Sequence, residues 1–240
     1  MQNKIYKQRF RQLKIPAEKI IVCGNIKADE ADRSLQHLPT RQEVLAHLRL
    51  DASPKKIITL ASSHSSSESI VIPAIERLSA DFFFIIVPRH VQRAKTIARQ
   101  LKQSGLKYTL FSRQQTINSD TQVLIYDRMG YLFPIMSITD MVFMGGTHDQ
   151  KIGGHNLYEP ASMGKLILGG PYYNNFPDIG SELAASGVYH QINHSHELVD
   201  FANRYQNLNL KKINEKALNA IMKRKGSLAC TLDQIQRFIG

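Results

Sequence analysis

The chain has 240 residues, no tryptophan, 42% hydrophobic residues and a formal charge of +11 from 31 Lys and Arg against 20 Asp and Glu. That length suits one large domain or two small ones and can bury a core without staples. The composition excludes collagen, coiled coil and wholesale disorder, and the longest strongly apolar run, 82–87, is far short of the ~18 residues of a membrane span.

In chain order, the first fifty residues carry ten bases and five acids. No apolar stretch follows the charged start, so it does not read as a signal peptide. An apolar run at 19–23 predicts a strand, and Thr40-Arg41-Gln42-Glu43 is a capping box opening a helix through Leu48. Cys23 lies in that apolar run and reads as a small buried hydrophobe. Two cysteines, Cys23 and Cys230, are too few for a disulfide framework or a zinc site, which favours the cytoplasm.

Beyond Pro54 a unit recurs: a short β-rich run, a small-residue turn, then a segment of helical period. Apolar runs at 56–60, 82–87, 108–111, 122–126, 141–144 and 165–168 are hydrophobic on both faces, as strands covered on both sides of a parallel sheet are. Helical periodicity occupies 67–78, 90–102, 157–164, 195–205, 211–223 and 231–239. Alternating strands and helices predict an α/β fold with a doubly wound parallel sheet. The last stretch, 204–240, carries eight bases and two acids, whereas 51–203 is balanced at thirteen each. Two basic ends can meet nucleic acid, an anionic membrane surface or an acidic partner, or form a solvated surface. No aromatic platform or motif raises nucleic acid above charge alone.

In open α/β sheets ligands bind beyond the carboxyl ends of the strands. After 56–60 comes Ala61-Ser62-Ser63-His64-Ser65-Ser66-Ser67-Glu68, whose hydroxyls suit an anion at a helix start. Ser65 and Glu68 also fit a capping box, which leaves His64 unexplained. Arg89 follows 82–87 at a strand-to-helix turn, a place to meet a carboxylate or phosphate. After 141–144, Gly145-Gly146 and Gly153-Gly154 let backbone approach a ligand, and the second pair precedes a helix whose free amides suit a phosphate. Glu159 falls three residues past Asn156 on the same side, where a carboxylate can accept from ribose hydroxyls. No G-x-G-x-x-G follows the first strand, so a dehydrogenase reading is weak. His190, His194 and His196 beside Glu197 have no standard zinc spacing, and no metal site is expected.

Gly153-Gly154-His155-Asn156-x-x-Glu159-Pro160-Ala161, preceded by Gly145-Gly146, resembles the donor-site signature of the 3-deoxy-D-manno-octulosonic acid (Kdo) transferases. Val22-Cys23-Gly24-Asn25-Ile26-Lys27, Ala61-Ser62-Ser63-His64, Pro88-Arg89-His90-x-x-Arg93, Asp127-Arg128-Met129-Gly130 and Gly170-Pro171 with Asn175-Phe176 resemble further family motifs in order and spacing. The resemblance covers the C-terminal, donor-binding half of a two-domain GT-B glycosyltransferase. It implies an entry segment at 1–50, with a strand and a basic helix. A Rossmann-like nucleotide-sugar-binding domain at 51–205 and basic helices at 206–240, packing on or beyond that domain, complete the division. It implies CMP-Kdo as donor substrate, no separate cofactor, and a lipid A precursor as acceptor in lipopolysaccharide core biosynthesis. The implied partners are an anionic membrane surface and a separate N-terminal half that brings the catalytic base. The implied location is cytoplasmic and peripheral to the inner membrane.

Residue by residue, the resemblance places Pro88, Arg89, Met129, Gly130 and Tyr131 at the nucleotide. It places Gly153, Gly154, Asn156, Leu157, Tyr158 and Glu159 at phosphate and ribose, and Lys27 at the reacting centre, with Ser63 and His64 as further candidates. The implied chemistry is a direct displacement: an acceptor hydroxyl attacks the anomeric carbon and CMP leaves. Ser67 and Tyr131 stand where the family carries glutamates. That departure supports a second reading, a catalytically inactive nucleotide-sugar-binding or interaction module lacking the acceptor domain.

Overall fold

The computed structural model describes residues 1–50, 55–113 and 117–239. The expected boundary at residue 51 lies outside the described residues. Two helices, α1 (Lys4–Gln12) and α2 (Lys27–Leu35), precede α3 (Arg41–Leu48), whose Thr40–Glu43 capping box forms as the sequence predicts. Then follow β1 (Lys56–Ser63), α4 (Ser65–Leu78), β2 (Phe82–Pro88), α5 (Ala94–Gln103), β3 (Tyr108–Leu110) and β4 (Val123–Ile125). Next come α6 (Leu132–Ser137), β5 (Met141–Met144), α7 (Tyr158–Ser162), β6 (Leu166–Gly169), α8 (Pro177–Ser186) and β7 (Tyr189–Gln191). The chain closes with α9 (Ser195–Asn203), α10 (Leu210–Met222) and α11 (Ser227–Ile239).

All seven strands pair in parallel, in the order β3-β4-β2-β1-β5-β6-β7. The sequence explains why the sheet is covered on both sides. Along β2, Phe82, Phe84 and Ile86 enter one cluster with α4, α5 and α9, while Phe83, Ile85 and Val87 enter another with α3 and α6. In β5, Met141 and Phe143 face the first cluster, and Val142 and Met144 face a third with α7, α8 and α10. Period-two alternation between two apolar faces therefore reads in sequence as an unbroken apolar run. From β1 the chain winds to β2, on to the edge strand β3 and back to β4 between them, then crosses to β5, β6 and β7 on the other side, so the order reverses between β1 and β5. That reversal is the switch point at which such sheets open a crevice.

Four features differ from the sequence reading. The run at 19–23 forms no strand: a 3₁₀ turn at Ala17–Lys19 leads into extended chain that joins no ladder among the described residues. Its backbone meets Met1 instead, and Ile21 and Val22 stay exposed. Cys23 is no buried thiol, because its sulfur is bonded to Cys230 of α11, 207 residues away. Glu68 does not cap α4; the His64 amide donates to Ser67 Oγ at 3.0 Å, and Glu68 lies wholly buried. The helix expected over 157–164 shrinks to the five residues of α7, between the Leu157 turn and Gly164 at φ +67°. The edge strand β7 and helices α6 and α8 are additional elements. Among the described residues, no helix is long and apolar enough to cross a membrane.

The terminal helices are tied to the entry segment. The Asp29 carboxylate of α2 accepts from the Gly226 and Leu228 amides at 2.8 and 2.7 Å, capping α11. Lys225 pairs with Asp32, and Arg224 spans Asp178 and Glu182 of α8. Ala217, Ala220 and Ile221 of α10 are buried in the cluster that holds α7.

Candidate active-site cleft

A cleft of about 710 Å³ opens at the carboxyl ends of β1, β2 and β5, at the switch point. Its construction begins with backbone. Gly145 follows β5 so closely against β1 that a Cβ there would lie 2.1 Å from the Ser62 carbonyl. Ser62 itself is left-handed at φ +51°, and the β1–β2 register shifts between Ala61 and Ser63. This bulge turns the side chains around it. Ser62 lines the cleft, whereas Ser63 is buried and donates to Glu68 Oε1 at 2.9 Å. Glu68 also receives the Arg93 guanidinium, through Nε to Oε1 at 3.2 Å and Nη2 to Oε2 at 2.5 Å. A bidentate arginine satisfies a carboxylate that would otherwise be costly to bury.

On the opposite wall the glycine-rich loop folds back on itself. Gly153 and Gly154 are left-handed at φ +68° and +79°; the Gly154 amide reaches the Gly146 carbonyl, and Asn175 Nδ2 ties Ile152 and Gly154. Asn156 Oδ1 accepts from the Tyr158 amide, and its Nδ2 donates to Glu159 Oε1 at 2.9 Å. Burial raises the Glu159 carboxyl above its ordinary range, against the lowering effects of Asn156 and Lys27. The His155 and Asn156 amides make no hydrogen bond among the described residues. The single turn of α7 adds little helix dipole, so amides and side chains must carry the attraction for an anion here.

The entry segment supplies the third wall. Asn25, nearly buried, accepts the Lys27 amide on its Oδ1 at 3.1 Å. This turn starts α2, whose Ala28 and Ala31 pack into the cluster shared with α7. Lys27 thus reaches the cleft, its Nζ 5.0 Å from the Phe176 ring centre.

The cleft brings together Lys27, Arg89, Gly130, Gly154, Asn156 and Glu159 from the residues singled out in the sequence. It does not bring in all of them. Met129 is 72% exposed beside it, and Tyr131 stacks on His47 at 3.9 Å between ring centres, within a group including Phe111 and Tyr126. Pro88 is buried at the end of β2, and buried Gly153 packs near Asn175. Leu157 and Tyr158 are core residues, with the Tyr158 hydroxyl on Asp178 Oδ2 at 3.2 Å. Sequence reasoning passed over Ser62, Glu30 and, most consequentially, His155, although its place between Gly154 and Asn156 was a usable signal. His155 Nε2 meets His64 Nε2 at 2.7 Å. Elsewhere, His190 bonds the Gly187 carbonyl and Glu197 accepts the Asn193 amide. Among the described residues, no three His, Cys, Asp or Glu side chains form a group able to hold a metal.

The chain is similar to known proteins. It is 32% identical over 188 residues to the 3-deoxy-D-manno-octulosonic acid transferase of Chlamydophila psittaci (strain ATCC VR-125 / 6BC), covering 78% of this chain and 42% of that one. It is 34% identical over 189 residues to the enzyme of the same name from Chlamydia pneumoniae, covering 78% and 43%. By sequence, the chain is a relative of the Kdo transferases. No protein-family model matches it. It spans less than half the length of these two relatives. A solved structure, the C-terminal CMP-Kdo binding domain of WaaA from Acinetobacter baumannii, superimposes with a TM-score of 0.67 at 23% identity, over 80% of this chain and 98% of that one. The fold is that of one Rossmann-like half of a GT-B glycosyltransferase.

Proposed function

We propose that the chain is the donor-binding half of a Kdo transferase and that the cleft takes the CMP portion of CMP-Kdo. The observation that carries this reading is convergence. Lys27, Arg89 and the Gly154–Glu159 loop come from three separate parts of the chain and meet at the sheet's switch point, at positions the family resemblance also selects. Arg89 and the unpaired amides at His155 and Asn156 face a phosphate, and Glu159 accepts ribose hydroxyls. Lys27 lies toward the sugar. In the displacement, these groups stabilise the departing phosphate, and the base that activates the acceptor hydroxyl comes from a separate N-terminal half.

The acceptor under this reading is a lipid A precursor, at the cytoplasmic face of the inner membrane. Two features support contact with an anionic membrane surface and with a second half. The bases of α1 form no ion pair among the described residues, and Leu13, Ile235, Phe238 and Ile239 are exposed on the terminal segments. Calorimetric titration with CMP, UMP, AMP and GMP tests the donor assignment. CMP selectivity that weakens in Arg89→Ala and Glu159→Ala is expected; equal binding of all four, or none, overturns it.

A further inference from the structure

A second cavity, of about 340 Å³, opens at the carboxyl ends of β3 and β4, on the same edge of the sheet as the cleft. Six residues line it: Phe111 and Ser112 just after β3, Tyr126 and Arg128 just after β4, and His47 and Arg49 at the end of α3. That volume suits a small ligand. Rings form much of its wall. Phe111 lies 4.5 Å from Tyr126 and 5.0 Å from His47 between ring centres, and His47 Nε2 meets the Tyr126 hydroxyl at 3.1 Å. Arg49, left-handed at φ +56°, carries its guanidinium carbon 5.5 Å from the centre of the Phe111 ring.

No acid answers the two arginines. Neither Arg49 nor Arg128 forms an ion pair among the described residues. The neighbouring carboxylate, Asp127, accepts instead from the Ser112 amide at 2.8 Å and from the Ser112 hydroxyl at 2.5 Å. Glu43, the acid that acts on Tyr131, takes the Thr40 amide and hydroxyl. Burial and Arg49 hold His47 below the ordinary imidazole range, so the positive charge here is that of the arginines. Tyr131 completes the cluster. It stacks on His47 at 3.9 Å and sits between Gly130 and Leu132 of the cleft wall. At this position, where the resemblance expects a glutamate, the chain has a ring in place of a negative charge.

We propose that this cavity is a second ligand site, for a phosphomonoester carried on a small ring. Such a group brings about two negative charges at neutral pH, one for each arginine. Guanidinium groups hold phosphate oxygens through paired N–H donors, and the aromatic walls cover the body of the ligand. The site does not rest on the donor reading of the cleft.

NMR titration of the full chain tests this, following the Ser112 and Arg128 amides and the His47 ring. Phenyl phosphate is added with and without saturating CMP. The three signals should shift in both cases, and inorganic phosphate or phenol alone should bind at least about tenfold more weakly. Glucose 1-phosphate in the same experiment tells a sugar ring from an aromatic one, and binding of either upholds the site. Arg49→Asn together with Arg128→Gln should abolish the shifts, while the thermal melt and CMP binding stay those of the unsubstituted chain; asparagine tolerates the left-handed backbone at 49. No shift with either ring phosphate overturns the site. So do shifts that survive the double substitution, and inorganic phosphate that binds as tightly as the esters. Displacement by CMP overturns it too, since the ligand would then belong to the cleft. Failure of CMP itself to bind counts against the donor reading and leaves this site standing.

Discussion

The cleft and the terminal face are built on opposite plans. The cleft is polar and closely partnered: Glu68 is held by Arg93 and Ser63, Asn156 by Tyr158 and Glu159, and Gly145 leaves no room for a methyl group. The terminal face joins α1, the extended 19–23 segment and α11 through one disulfide and the Asp29 cap, and it leaves Leu13, Phe238 and Ile239 at 72%, 94% and 79% exposure. One region is held by contacts within the chain; the other exposes apolar side chains, which the proposal above assigns to a membrane surface or a second half. The two adjoin, since Gln2 and Asn25 line the cleft while Met1 and Cys23 line the apolar hollow beside α11. Lys27 reaches the cleft from the start of α2, which packs into the cluster shared with α7.

This contrast predicts that the two regions can be perturbed separately. The largest stability effect should come from reducing the Cys23–Cys230 bridge, which closes a loop across nearly the whole chain. Chain entropy puts the loss at roughly 5 kcal/mol for a separation of 207 residues, read by denaturant titration with and without reductant, while CMP affinity in the folded protein changes less than about twofold. Next, Arg93→Ala leaves the Glu68 carboxylate buried and unpaired, and should cost about 3–5 kcal/mol. Arg89→Ala should do the reverse of reduction: CMP binding falls about 10- to 100-fold, the loss of one charge-assisted hydrogen bond, with little change in melting temperature.

A smaller effect is set by pH. The folded pKa of His155, about 4, lies below the ordinary 6.5 of an exposed imidazole, so the unfolded chain binds more protons between those values. Its contribution to stability is full above 6.5 and is lost as pH falls toward 4. Denaturant titrations at pH 7 and 4.5 should show a difference that shrinks in His155→Gln. Smallest of all, Phe238→Asp should change stability by less than about 0.5 kcal/mol, yet reduce sedimentation with anionic vesicles. Unchanged sedimentation would remove α11 from the proposed membrane contact.

The sheet was legible because its strands are buried on both faces, so their apolar runs stand out against polar helices. The same rule misled at 19–23, where Ile20 is buried but Ile21 and Val22 are exposed on the terminal face. It also passed over β7, an edge strand whose His190 and Gln191 carry no apolar run. Helix α8 had its signals, Pro177 at the start and left-handed Gly187 at the end, without a strong apolar period between them. In the cleft, Arg89 and the glycine-rich loop were readable because strand ends are where ligands bind. The exchange of Ser63 for Ser62 was not, because one left-handed residue reverses which neighbouring side chain faces the ligand, and nothing in Ser-Ser foretells it. Nor can a sequence separation of 91 residues show that His64 and His155 meet.

The central claim is that this cleft is a nucleotide donor site, and a crystal structure with CMP tests it most directly. The account predicts the phosphate between Arg89 and the His155 and Asn156 amides, with the ribose hydroxyls on Glu159. CMP bound elsewhere, or in the cleft with its phosphate turned away from Arg89, would contradict it.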